Sequence, residues 1–123
     1  MIERRKFVRL KDSLKITYKG IGADSVEKGS LIGDLGGGGV SIPVANRIKP
    51  GTILELEIYL PKREKPIVAV GEVVWLTVRE DIQFPFLVGV KFSSMDPFDR
   101  GNILNYIAKK VQSGELFEIE WID

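Results

Sequence analysis

Period-two alternation runs through most of this chain and constrains its fold more than any other feature. Leu14, Ile16 and Tyr18 alternate with Lys15, Thr17 and Lys19, and Leu54, Leu56, Ile58 and Leu60 alternate with Glu55, Glu57 and Tyr59. Phe86, Val88, Val90 and Phe92 alternate with Leu87, Gly89 and Lys91, and Val40, Ile42 and Val44 keep the same spacing. Successive side chains of a strand point to opposite faces, so this is the pattern of half-buried antiparallel strands. The stretch Ile67 to Val78 is apolar on both faces. It predicts a long central strand, with one face covered by a helix or a partner chain. Turn signals at Gly20 to Gly22, Lys49-Pro50-Gly51, Pro61 to Pro66 and Arg79 to Pro85 separate the runs. Short strands at this spacing predict an all-β barrel or sandwich.

One helix is expected, over residues 96–113. Asp96 suits the N-cap, Pro97 the first helical position, and Asp99 falls where a capping acid would stand. Ile103, Leu104, Ile107, Ala108 and Val111 then form an apolar stripe that would close one mouth of the barrel or cover a sheet face. Lys109 and Lys110 lie near the negative end of the helix, and Gly114 can terminate it. The closing run Leu116 to Trp121 alternates again, as a last strand or a docking segment.

At 123 residues the chain is one domain by size, long enough to bury a core without disulfide or metal staples. It contains no cysteine and no histidine, which removes thiolate chemistry, zinc–thiolate sites and the commonest general base. No nucleophile stands with its base, and Glu55 and Glu57 share one strand face and read as solvated. No catalytic or metal-binding residues are therefore assigned, and no enzyme activity is expected. No run approaches a membrane span, no signal peptide is evident, and a bacterial, cytoplasmic protein is the expectation. A net charge of +1 gives no general affinity for nucleic acid or anionic membrane. The charge is uneven: Arg4, Arg5, Lys6, Arg9 and Lys11 face only Glu3 in residues 3–11, whereas the tail from Glu115 to Asp123 is acidic.

Two motifs could carry chemistry. Arg5 and Arg9 are four residues apart in a basic arm, residues 1–12, that precedes the barrel of residues 13–123. Guanidinium groups fork onto phosphate oxygens or the edge of guanine and stack on bases, but a solvated basic tail has the same spacing. About twenty-five residues on comes Asp34-Leu35-Gly36-Gly37-Gly38-Gly39. Such a run admits a ligand close to backbone N–H groups, or serves only as a hairpin loop. It is neither a Walker loop nor a dinucleotide fingerprint, since no Gly-Lys-Ser/Thr follows and its flanks read as strands. Asp34 either caps the turn, or accepts hydrogen bonds from a base or orients an arginine. Trp75 is either packing or a stacking wall for a base.

Taken together, the motifs resemble the PilZ domain, a bacterial receptor module for cyclic di-GMP. Its signature is Arg-x-x-x-Arg, then Asp/Asn-x-Ser-x-x-Gly some twenty to thirty residues later. Arg5 and Arg9 match the first part, and Asp34 and Gly39 match the ends of the second. Pro50-Gly51 before a strand, Gly71 through Trp75, and Val88 to Phe92 before the helix extend the resemblance over essentially the whole chain. The resemblance implies a six-stranded antiparallel β-barrel with a C-terminal α-helix. It implies that Arg5 and Arg9 grip guanine and phosphate and that Asp34 contacts a guanine or holds an arginine. Gly36, Gly37, Gly38 and Gly39 would form the surface on which the ligand rests. Arg4 would add a third guanidinium that favours a stacked ligand pair, and Trp75 would lie near a base. Gly36 departs from the motif, because the family has serine there.

The implied function is a non-enzymatic cyclic di-GMP receptor that needs no cofactor. Its arm would become ordered on the ligand and expose a surface to an unidentified effector protein in motility or biofilm regulation. The chain would act as a monomer or homodimer, without membrane insertion. One alternative is a PilZ-fold adaptor that has lost nucleotide binding. The other, a small nucleic-acid-binding barrel, is disfavoured because interleaved surface aromatics and a large positive charge are missing.

Overall fold

The computed structural model describes the backbone of residues 5–10, 14–22, 25–113 and 116–122, and the side chains of 14–22 and 25–113. Among the described residues, nine strands and one helix occur in the order β1 (Arg5–Leu10), β2 (Lys15–Gly20), β3 (Lys28–Leu31), β4 (Asp34–Leu35), β5 (Gly39–Val44), β6 (Ile53–Ile58), β7 (Ile67–Val78), β8 (Phe86–Met95), α1 (Pro97–Ser113) and β9 (Leu116–Ile122). The strands form one sheet in the order β3-β2-β6-β7-β8-β5-β4-β1-β9. The fold is thus mostly β with a C-terminal helix, as expected, but six strands was too few. The two-residue β4 and the flanking β1 and β9 enlarge the sheet. The segment read from the sequence as part of a basic arm supplies β1.

The sheet is antiparallel at its paired strands and curls into a half-barrel. Its curl brings β3, at one edge of the sheet order, against β5, which is not its neighbour there. Ser30 Oγ on β3 donates to the Pro43 carbonyl on β5 at 2.6 Å. The Ile32 N–H reaches the Leu14 carbonyl at 2.8 Å, and the Gly33 N–H reaches that of Ser41 at 2.9 Å. These bonds satisfy main-chain groups as the chain crosses from the β3 side to β4.

Alternation places the core as the sequence predicts. Leu14, Ile16 and Tyr18, then Val40, Ile42 and Val44, Leu54 to Leu60 in alternate positions, and Val88, Val90 and Phe92 are all buried. Each such aliphatic side chain contributes about 1.5–3 kcal/mol through removal from water. The long strand β7 is central, between β6 and β8, and buries Ile67, Ala69 and Val73. Its outer face is not covered by α1: Val68 is 59% exposed. A bulge between Val73 and Trp75 shifts the parity of its second half.

The helix starts as its sequence dictates. The Asp96 carboxylate accepts from the Phe98 N–H at 2.8 Å, and its carbonyl accepts from the Arg100 N–H at 3.1 Å. Asp99 pairs with Arg63 at 3.7 Å instead of capping. Of the expected apolar stripe, only Ile103 is fully buried. Leu104 is 50% exposed and leans on the glycine run instead of entering the core. Gly114 lies outside the described residues.

Candidate functional site

The two motifs meet across neighbouring strands. The β1–β4 register puts Arg9 opposite Asp34 and Val8 opposite Leu35. Leu35 is fully buried, so alternation turns Asp34 to the outer face of the sheet. Arg4 lies outside the described residues, and of Arg5 and Arg9 the backbone alone is described.

Asp34 is held by a residue that the sequence reading overlooked. Ser41 on β5 accepts the Asp34 N–H at 2.7 Å through Oγ and donates the hydroxyl proton to Asp34 Oδ2 at 3.1 Å. Ser41 is buried, so this reciprocal pair is shielded from water and fixes the carboxylate. Ser41 is the polar residue at outward parity between Val40 and Ile42, but only the return of β5 beside β4 makes it the partner of Asp34.

The same row continues across the sheet. Ser41 is in register with Gly89 on β8, and Gly89 with Trp75 on β7. The indole of Trp75 lies directly on Gly89, where a Cβ would come within 2.1 Å of the ring. Trp75 is nevertheless 42% exposed, a flat apolar surface open on one side. Gly89 is the second overlooked residue; a glycine within a strand marks such a close approach. Arg9, Asp34, Ser41, Gly89 and Trp75 thus occupy one row over five strands. Four spacings of about 4.8 Å separate its ends by roughly 19 Å along the sheet. One base could not touch both ends, so a ligand spanning the row would present different parts to each.

The four glycines have four different environments, and none uses the positive φ that glycine permits. Gly36 opens a tight turn, its N–H reaching the Gly39 carbonyl at 3.0 Å, and an added Cβ would meet nothing nearer than 4.0 Å. Gly37 is packed beneath Leu104, which would lie 2.9 Å from such a Cβ. Gly38 faces open space, and its carbonyl accepts from the Phe92 N–H at 2.9 Å. Gly39 abuts β8, where a Cβ would come within 2.4 Å of the Val90 carbonyl oxygen. Close strand packing, rather than an open ligand surface, explains Gly39. Beside the run is an apolar cleft of about 410 Å³ lined in part by Leu35, Gly36, Gly37, Leu104 and Val111.

A family model for the PilZ domain matches residues 3–109. The chain belongs to the PilZ domain family. Among solved structures it is similar to the Bacillus subtilis inhibitor of motility, MotI/DgrA, with 20% identity and a TM-score of 0.73 over 91% of this chain and 53% of that one. The PilZ domain of YcgR from Escherichia coli, solved with cyclic di-GMP, shares 12% identity with a TM-score of 0.66 over 92% of this chain and 93% of that one. PlzA from Borreliella burgdorferi, in complex with cyclic di-GMP, shares 23% identity with a TM-score of 0.55 over 86% of this chain and 40% of that one. The chain therefore spans about half the length of the motility inhibitor. At these identities the likeness is one of fold. No curated protein matches the chain. Among the described residues, no helix is long and apolar enough to cross a membrane.

Proposed function

We propose that this PilZ domain is a non-enzymatic receptor for cyclic di-GMP. The observation that carries the reading is the register of Arg9 with Asp34, which joins the arginine motif to the second motif beside a carboxylate fixed by Ser41. Arg5 and Arg9 would fork onto phosphate and guanine, and Asp34 would accept from a guanine N–H or hold an arginine. Trp75, at the far end of the row, would stack on a base. Backbone around Gly36, Gly37, Gly38 and Gly39 would lie beneath the ligand, and Arg4 would serve a second ligand molecule. Two of the solved relatives were captured with this dinucleotide, which supports the choice of ligand.

Residues 1–12 would act as the responsive segment against a body of residues 13–123. The attachment of β1 to β4 spans only two register positions, Val8–Leu35 and Arg9–Asp34. A ligand bridging Arg9 and Asp34 would reinforce that attachment and present an altered surface to an effector protein in the cytoplasm. Titration calorimetry with cyclic di-GMP tests the reading, and its stoichiometry reports on Arg4. Arg5→Ala and Arg9→Ala are each expected to weaken binding strongly. Absence of heat at high micromolar ligand would sink the proposal.

Gly36 favours a second reading, an adaptor of PilZ fold that has lost the nucleotide, because the family's serine hydroxyl is missing there. That reading wins if no nucleotide binds while a partner protein does.

A further inference from the structure

A lysine on the outer face of the sheet belongs to neither motif yet lies beside the second. Lys91 on β8 is exposed between the buried Val90 and Phe92, so its side chain leaves the sheet on the side of Ser41 and Trp75. It adjoins the glycine run at two points. Gly39 is in register with Lys91, whose Cα would lie 3.4 Å from a Cβ at Gly39. The next residue, Phe92, donates its N–H to the Gly38 carbonyl at 2.9 Å. Two steps back along β8 is Gly89, covered by the Trp75 indole. Across β5, β8 and β7 the face therefore carries two adjacent rows: Gly39, Lys91 and Glu72, then Ser41, Gly89 and Trp75. Lys91 is the one cation in these two rows. Its register partner on β7 is Glu72, yet among the described residues Lys91 forms no ion pair. Elsewhere in the same sheet such a pair does close. Lys19 on β2 is in register with Glu55 on β6, and their side chains meet at 3.4 Å. The Lys91 ammonium is thus uncommitted beside backbone that carries no side chains.

We propose that Lys91 is the central cation of the ligand surface, holding a phosphate of the dinucleotide between the Asp34 end of the face and Trp75. The inference deepens the proposed cyclic di-GMP reading and rests on it. A cyclic dinucleotide carries its charge in the ring that joins the two nucleosides and its bases on the outside. A base stacked on Trp75 therefore brings the phosphates back along the row toward β8 and β5, where Lys91 is the charge available. Gly39 opposes Lys91 with no side chain, and Gly38 faces open space. The flexible four-carbon stem of the lysine can thus swing over the glycine run without a competitor. An ammonium meets phosphate as a point charge with three rotatable donors, so it needs no fixed fork geometry. Glu72 gives the contact a direction. On the β7 side of Lys91 the face is negative, so a phosphate is favoured on the β5 side, over the glycines. Lys91 thereby fixes which way the dinucleotide lies on the sheet.

The test is calorimetric titration of cyclic di-GMP into the unaltered chain, Lys91→Gln, Lys91→Arg and Lys19→Gln, each at low and at moderate salt. Both lysines are exposed, so none of these changes touches the core. Lys91→Gln is expected to bind roughly tenfold more weakly and to lose part of the salt dependence, because one charged contact with phosphate is gone. Lys91→Arg keeps the charge and is expected to retain most of the affinity. Lys19→Gln removes the same charge from a lysine committed to Glu55 and is expected to leave affinity unchanged. The inference is overturned if Lys91→Gln binds as the unaltered chain does, or if Lys91→Arg is weakened as much as Lys91→Gln. It is overturned as well if Lys19→Gln is weakened equally, since net charge then explains the loss. Each of these results leaves the receptor reading standing, whereas no heat with the unaltered chain overturns both.

Discussion

The two faces of β5 do different work. Val40, Ile42 and Val44 point inward and are buried, while Gly39, Ser41 and Pro43 occupy the alternate positions. On that outer side Ser41 clamps Asp34, and the row through Gly89 leads to Trp75. One six-residue strand thus supplies stability with one parity and the candidate site with the other. If that division holds, inner substitutions should alter folding, and outer ones chiefly ligand affinity. The largest effect expected is at Ile42, which is wholly buried. Ile42→Ala should cost about 2–5 kcal/mol of stability through lost burial and the cavity left behind. Urea unfolding measures it, and affinity per folded molecule should stay the same. A loss under 1 kcal/mol would show that the inner face is not the core it is taken to be.

Gly39 is the place where the division should fail. It has outer parity, yet an added methyl group would strike the backbone of β8 at the Val90 carbonyl. Main chain in the middle of a sheet cannot rotate away, so Gly39→Ala should destabilise by about 1–3 kcal/mol. Urea unfolding again provides the check. If Gly39→Ala is as stable as the unaltered chain but binds cyclic di-GMP poorly, Gly39 is a ligand contact and the steric account is wrong.

Ser41 sharpens the comparison from the other side. Ser41→Ala removes the acceptor for the Asp34 N–H and the donor to its carboxylate. Leaving such a shielded pair unmade costs about 1–3 kcal/mol, shared between stability and the positioning of Asp34. Calorimetry should find cyclic di-GMP bound roughly tenfold more weakly. Unchanged affinity alongside reduced stability would make Asp34 a structural residue and take it out of the site.

The core was legible because alternation is a local property, and burial follows parity wherever strands are regular. Leu54, Leu56 and Ile58 needed nothing more. The strand count was not, because β4 is two residues long and leaves no period to detect; only its pairing with β1 and β5 makes it a strand. The helix was read correctly from its cap but not from its stripe. Ile103 enters the core, whereas Leu104 meets Gly37 and stays half exposed. Asp34 could be singled out from its motif, whereas its partner Ser41 could not, since their bond depends on the turn that brings β5 back beside β4. The pairing of β1 with β9, which sets Arg9 in register with Glu118, is more distant still in sequence. Two charge-biased ends were visible, but their register was not.

Gly36 carries the smallest expected effect and the most specific one. It is the position where the family has serine, and of the run Gly36 to Gly39 it combines ample space with a place in the motif. A Cβ there would find its nearest neighbour, the Gly39 carbonyl oxygen, at 4.0 Å, and the backbone φ is not in the left-handed region. Gly36→Ser should therefore fold without strain, with stability changed by about 0.5 kcal/mol or less. Removing a glycine from a loop also narrows the unfolded ensemble, which acts in the stabilising direction. The hydroxyl would lie one turn from Asp34, on the surface where the ligand is proposed to rest. One additional neutral hydrogen bond contributes about 0.5–1.5 kcal/mol, so cyclic di-GMP should bind a few-fold to tenfold more tightly. Paired titrations of the two proteins at one salt concentration resolve a change of that size. If affinity does not rise, the glycine run must already provide through its backbone what serine provides elsewhere in the family, and Gly36 is a substitution the fold has absorbed.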